Sequence, residues 1–103
     1  MKNFDFTGIW QTRYLIADIV IHVEQKGRKV SGYAEVFGFM GSKDLYHFLG
    51  EVNGMNVHAS HYKGRRFVGK ALGKNSAAGI LTTISGSKLS LKAKRVSMNP
   101  QVI

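Results

Sequence analysis

The feature that most constrains the fold of this chain is a period-two alternation of apolar and polar residues, interrupted by glycine-containing turns. Successive side chains of a β-strand point to opposite faces, so this alternation predicts strands with one buried face. The 12 glycines and the single proline suit tight hairpin turns better than a linker or a disordered tail. The sequence therefore predicts an all-β protein.

Eight short strands are predicted at 7–15, 18–26, 29–37, 45–52, 55–62, 66–72, 79–85 and 88–96. The connections are too short for the crossovers that parallel pairing needs, so the strands form an antiparallel up-and-down meander. Eight strands can close into a small barrel, which removes both sheet edges. A two-sheet sandwich is the structural alternative. The chain of 103 residues predicts one domain, 1–103, with a frayed tail at 97–103.

Composition and motifs exclude several kinds of active site. The chain has no cysteine, which excludes disulfides, thiol catalysis and cysteine-based metal sites. No phosphate-binding loop, dinucleotide fingerprint or serine-hydrolase motif is present. The six acidic residues show no pairing that suits acid–base chemistry. The sequence predicts no enzymatic activity, no catalytic residue, no cofactor and no metal.

The segment "FTGIW" at 6–10 contains the single tryptophan of the chain, Trp10. It resembles the Gly-x-Trp motif that opens the first strand of lipocalins and avidins, the calycin-like barrels. The segment "KVSGYAEV" resembles their third strand. The segment "GILTTISGSKLSLKAKR" resembles their final hairpin, in which an arginine lies across the tryptophan. The resemblance implies a barrel closed at one end by Trp10 and Arg95, and a guanidinium stacks well on an indole.

Members of these families commonly bind small apolar ligands, lipids among them. The resemblance therefore implies a small-molecule-binding protein that takes a lipid-like or other hydrophobic ligand in the barrel interior. The chain is too short for the C-terminal helix of lipocalins, and it lacks the several tryptophans that line the biotin site of avidins. It is similar to a minimal member of these families, without biotin binding.

Apolar strand faces and three polar residues give the candidate ligand site. The apolar residues predicted to line the interior are Ile19, Ile21, Val23, Val57, Ala59, Leu89 and Leu91. Tyr14, His47 and His61 each share a face with apolar neighbours and are predicted to orient the ligand. Packing at the barrel mouth is the alternative for Tyr14, and a partly buried position near the rim is the alternative for both histidines.

Histidine spacing argues against a metal site. His58 and His61 are three residues apart, a spacing that sends their side chains to opposite faces of a strand. His22 and Glu24 share a face, but that face is expected to be the outer one, where they form a solvated pair.

The net charge of +9 suggests two further functions. A basic stripe is predicted on the outer face of the last and first strands: Lys88, Lys92, Lys94 and Arg13. With an exposed Tyr33 or Tyr62 it forms a candidate surface for single-stranded nucleic acid, and its charge also suits an anionic membrane. A solvated face is the alternative. A third possibility is an incompletely closed barrel whose edges pair between subunits of a homo-oligomer.

Targeting signals are not evident in the sequence. No apolar run approaches the roughly 20 residues of a membrane helix. The start, "MKNFDFTG", has no apolar region typical of a signal peptide. The chain is expected to be cytoplasmic, unless a signal peptide has been removed.

Overall fold

A computed structural model describes residues 2–99 and shows a closed β-barrel. The strands are β1 (Gly8–Tyr14), β2 (Ala17–Lys26), β3 (Lys29–Phe37), β4 (Lys43–Asn53), β5 (Asn56–Ser60), β6 (Arg66–Gly73), β7 (Ser76–Thr82) and β8 (Lys88–Ser97). Each strand pairs antiparallel with its neighbour in the chain, and β1 also pairs with β8. The predicted antiparallel eight-stranded barrel is confirmed, and the sandwich alternative is wrong.

Strand β7 lies three residues earlier than the sequence predicts. The β6–β7 turn is short, and Gly73 already pairs with Ser76. On the other side, hydroxyl and backbone bonds stabilise the β7–β8 loop: Thr83 donates its N–H to the Ser87 carbonyl at 2.8 Å and accepts the Ser87 N–H at 3.1 Å. Strand β8 includes Ser97, the first residue of the predicted tail, while residues 100–103 lie outside the described part of the chain.

One end of the barrel, called the closed end here, holds the β2–β3, β4–β5 and β6–β7 turns together with the N-terminal segment 3–7. This segment is tied to the β4–β5 turn by two hydrogen bonds: Phe4 N–H donates to the Gly54 carbonyl at 2.8 Å, and Gly54 N–H donates to Asn3 Oδ1 at 2.9 Å. Its Phe6 side chain is buried against Trp10. The buried core lies at this end: Phe6, Trp10, Val23, Val30, Val52, Ala71 and Ala77.

The opposite end, called the open end, holds the β1–β2, β3–β4, β5–β6 and β7–β8 loops. Inward-facing residues near it are only half-buried: Tyr14, Ile19, Val36, Tyr46, Phe67, Leu81, Leu89 and Leu91. An inward-facing side chain in a closed barrel meets solvent only through an end or a seam of the barrel. The interior is therefore sealed at the closed end and accessible from the open end.

The seam between β1 and β8 has the same asymmetry. Its register contains three Cα partners, from Ile9 opposite Ser97 to Gln11 opposite Lys94, whereas β1 and β2 pair over seven. Beyond Gln11, Thr12 Oγ1 donates to the Lys92 carbonyl at 2.6 Å. The two strands are therefore paired through their backbones toward the closed end. Toward the open end, the hydrogen bond from the Thr12 side chain joins them.

Candidate functional site: the barrel interior and its open end

Trp10 and Arg95 lie opposite each other in the β1–β8 register at the closed end. The indole is 3% exposed, and its Nε1 donates to the Phe6 carbonyl at 2.9 Å. The Arg95 guanidinium lies 4.9 Å from the centre of the indole and 5.4 Å from the Phe4 ring. This stack fills the base of the interior, so the interior is accessible only from the other end.

Hydrogen bonds hold the Arg95 guanidinium in place. Its Nη1 donates to the carbonyls of Asp5 at 2.7 Å and Thr7 at 2.9 Å, and its Nε donates to Asn75 Oδ1 at 3.2 Å. Its Nη2 donates to the Lys74 carbonyl. Burial lowers the pKa of Arg95, and the nearby charge of Asp5 opposes that effect. One side chain thus ties the N-terminal segment to the β6–β7 turn.

The predicted lining residues divide between the two halves of the barrel. Ile21, Val23 and Val57 face inward but belong to the core of the closed end, where Val23 is 8% exposed. They pack against the buried core around Trp10 and form the floor of the interior. The members that face the open half are Ile19, Ala59, Leu89 and Leu91. Tyr14 lies at the last position of β1, half-buried and facing the open end.

The prediction that His47 points into the interior is wrong. Strand β4 turns Tyr46 and Phe48 inward, opposite Ala34 and Gly32 of β3, and leaves His47 exposed on the outer face. Both faces of "LYHFLGEV" are apolar, so alternation alone does not select the inner one. A useful signal was Gly32, an inward position without a side chain, which leaves room for the Phe48 ring.

His61 lies just past the end of β5, in the loop at the open end. Its ring meets Tyr46 edge-on at 5.6 Å, and its Nδ1 accepts the Lys63 N–H at 3.2 Å. The Arg65 guanidinium lies 4.6 Å from the centre of the Tyr46 ring. Partial burial and the positive charges of Arg65, Lys63 and His47 lower the pKa of His61. Tyr46 and Arg65 are members of this cluster that the sequence pattern did not indicate.

His22 is not part of a solvated pair with Glu24, contrary to the sequence-based expectation. It is 4% exposed on the outer face, stacks on Tyr33 at 4.3 Å, and its Nε2 lies 2.7 Å from Glu35 Oε1. Lys43 Nζ lies 3.0 Å from the other Glu35 oxygen. The partner of His22 is on the neighbouring strand, so spacing along β2 did not identify it.

We expect the cluster of His22, Glu35 and Lys43 to make the free energy of unfolding depend on pH in the acidic range. Hydrogen bonds from Lys43 and then from His22 lower the pKa of Glu35 below its ordinary 4.5. The resulting stabilisation is fully present above pH 4.5 and is lost as the pH falls through the lower pKa of the folded state. We expect Glu35→Gln to reduce the loss of unfolding free energy between about pH 5 and about pH 3, measured by urea denaturation. Glu24→Gln, at an exposed position, is the control and should leave that dependence unchanged.

The predicted basic stripe is present only in part. Lys88, Lys92 and Lys94 are exposed on β8, whereas Arg13 pairs with Asp18 at 3.3 Å. Two shallow grooves of 430 and 490 Å³ lie along this side of the barrel, both bordered by Lys94. Tyr33 stacks between His22 and His47 on strand β3, so it does not join the stripe.

Residues 2–99 contain no group of three or more side chains arranged to hold a metal ion. No helix in this part of the chain is long and apolar enough to span a membrane. The chain matches no protein-family model, and comparisons with curated proteins and with solved structures found no match.

Proposed function

We propose that this protein is a minimal calycin-like barrel that binds a lipid-like or other small hydrophobic ligand without catalysing a reaction. The observation that carries the proposal is the apolar, half-buried inner surface of the open half above a sealed floor. Apolar pockets with a few polar groups at their mouths are typical small-molecule sites, and removal of apolar ligand surface from water supplies affinity.

Aromatic side chains lie against the barrel wall in the open half. A Cβ added at Gly69 or Gly79 would fall 2.5 or 2.4 Å from the Phe67 ring, so this ring occupies the space over two inward glycines. The Phe48 ring also approaches Gly32, 3.1 Å from an added Cβ, although the nearest atom there is the His22 carbonyl oxygen of β2 at 1.8 Å. A ring that lies over a glycine rests against the backbone of the barrel wall. This arrangement supports an interior that accepts an apolar chain.

Polar groups at the open end suit an anionic head group. Arg65, His61 and Tyr46 belong to one cluster beside the opening. Arginine is always charged and binds carboxylates through paired N–H groups, and a tyrosine hydroxyl adds a further donor. A fatty acid placed with its chain in the interior and its carboxylate at this cluster matches both surfaces. Tyr14 lies at the same end and stays a candidate for orienting the ligand.

The test compares two adjacent positions on opposite faces of β8. Leu89 faces inward and is half-buried, whereas Ser90 is exposed on the outer wall. We expect Leu89→Glu to weaken binding of a fluorescent fatty-acid analogue about tenfold or more, because a carboxylate replaces apolar contact area. Ser90→Glu adds the same charge outside the barrel and should leave the affinity nearly unchanged.

Native mass spectrometry of the purified protein gives a second measurement. A stoichiometric apolar molecule, released on denaturation, is the expected result. Absence of binding to the wild-type protein in the titration would contradict the proposal, as would equal loss in Leu89→Glu and Ser90→Glu with both variants folded.

A nucleic-acid-binding surface is the second candidate function, favoured by the exposed lysines of β8 and the grooves beside them. It predicts binding of single-stranded oligonucleotides that weakens steeply with salt. The substitutions Lys92→Gln and Lys94→Gln should then abolish this binding while leaving fatty-acid binding intact.

A further inference from the structure

All four loops of the open end expose apolar side chains. We call these residues the apolar rim: Leu15, Ile16, Phe39, Met40, Tyr62 and Ile84, with exposed fractions of 79, 66, 72, 86, 83 and 60%. Other large apolar side chains, such as Leu49 and Val68, are exposed on the barrel wall, but the four most exposed among the described residues all stand in these loops. Such a concentration around one opening indicates an interaction site. The turns at the closed end are mostly polar, with Arg28, Lys74 and Asn75 exposed.

Two residues of the apolar rim have a backbone conformation that is unusual for their side chains. Leu15 and Met40 have φ values of 55° and 60°, and they are the only residues other than glycine with positive φ in the described chain. At the closed end the same conformation is taken by Gly27 and Gly54, at 62° and 63°. A side chain without a local polar group is costly in this conformation, which favours glycine or asparagine. The exposed Leu15 and Met40 therefore oppose local stability, a pattern typical of functional positions.

Cations accompany the apolar rim. Lys63, Arg66 and Lys88 are exposed in or beside its loops, and none of them forms an ion pair within residues 2–99. Of the three carboxylates toward this end, Asp18 pairs with Arg13 and Glu35 with Lys43, while the exposed Asp44 of β4 forms no ion pair within residues 2–99. Lys63, Arg66 and Lys88 outnumber this one unpaired carboxylate. The surface around the opening is consequently both apolar and positive.

We propose that the apolar rim docks the open end of the barrel onto an anionic lipid surface. Leu15, Met40 and their neighbours enter the boundary between head groups and acyl chains, and the lysines and arginines contact anionic head groups. The rim residues stand on four separate loops around an opening, so they form no groove that a single protein segment would fill. A lipid surface is fluid and contacts all four loops together. The net charge of +9 adds long-range attraction to it.

This docking extends the proposed function, because it sets the mouth of the interior against a source of lipid. It rests on the loops and their charges, and it does not require that the interior bind a ligand. The two proposals can therefore fail separately. Titration with a fatty-acid analogue in the absence of vesicles tests the proposed function, and vesicle binding tests the docking.

The decisive experiment uses the double variant Leu15→Asn with Met40→Asn. Asparagine tolerates positive φ, so the melting temperature should stay unchanged or rise. Co-sedimentation with vesicles of phosphatidylcholine and phosphatidylglycerol should weaken roughly tenfold or more, because two apolar insertion residues are lost. Higher stability with weaker docking is a combination that a purely structural role for these residues does not produce.

Matched controls locate the effect on the open end. Leu72→Asn removes an equally simple apolar side chain, 59% exposed on β6 near the closed end, and should leave vesicle binding unchanged. The substitutions Lys63→Gln and Arg66→Gln should reduce the preference for phosphatidylglycerol over pure phosphatidylcholine vesicles. If Leu15→Asn lowers folding yield, Phe39→Ser at the β3–β4 loop replaces it as the test of the apolar rim.

Three results would overturn the docking proposal. The first is wild-type protein that does not bind phosphatidylglycerol vesicles at low salt. The second is a folded double variant that binds them as well as the wild type does. The third is a dimer in solution that the double variant dissociates without any vesicle binding by the wild type, which would show that the apolar rim is covered by a second copy of this chain.

Discussion

Replacing Arg95 with leucine is expected to lower the free energy of unfolding by about 3–5 kcal/mol, one of the two largest effects we predict for a single substitution. Arg95 is 6% exposed and donates to the carbonyls of Asp5, Thr7 and Lys74. Leucine fills part of the volume but leaves these partly buried carbonyls without their donors. Loss of the bonds to Asp5 and Thr7 also releases the N-terminal segment that seals the floor of the barrel.

Urea denaturation followed by Trp10 fluorescence measures this effect, because the single tryptophan reports on the closed end. Arg66→Leu is the matched control, at an exposed position, and should change the unfolding free energy by no more than about 0.5 kcal/mol. Equal midpoints for Arg95→Leu and the wild type would show that the hydrogen bonds at the closed end contribute little to stability.

Substituting alanine for Gly50 is expected to cost about 3 kcal/mol of unfolding free energy, at the high end for overpacking in a core. An added Cβ would lie 2.0 Å from the His58 carbonyl oxygen and 2.7 Å from the Ala59 Cα. Both atoms belong to the backbone of β5, so relief requires that the β4–β5 pair separate. A flexible side chain elsewhere cannot absorb the clash.

Gly73→Ala is the control for this substitution, since no atom lies within 4 Å of the added Cβ and φ is not in the left-handed region. We expect its unfolding free energy to change by less than about 0.5 kcal/mol or to rise slightly, because alanine restricts the unfolded chain. Thermal denaturation of both variants checks the pair. A Gly50→Ala protein as stable as Gly73→Ala would mean that β4 and β5 do not approach as closely as described.

Much of the fold was predictable because each hairpin is local. The alternation in β2 and β8 indicated the inward faces correctly, with Ile21 and Leu91 inside and Lys92 outside. Short turns excluded crossovers and hence parallel pairing. The absence of cysteine removed whole classes of site before any geometry was known.

The face of β4 was not predictable in the same way. Its two faces carry Tyr46 and Phe48 on one side and Leu45 and Leu49 on the other, so hydrophobicity does not choose between them. The register against β3 makes the choice, because it sets Phe48 opposite Gly32 and Tyr46 opposite Ala34, two positions with little or no side chain. His47 was misplaced for this reason.

The sequence by itself determined the strand period, the positions of most turns and the chemical classes of site that are excluded. The tertiary structure alone decided that the barrel is sealed at one end and accessible at the other, because that depends on the N-terminal segment meeting turns far away in the chain. It also gathered Leu15, Met40, Tyr62 and Ile84 around one opening, although they are spread over 70 residues of sequence. Alternate loops of an antiparallel meander return to the same end, and only closure of the sheet turns them into a ring.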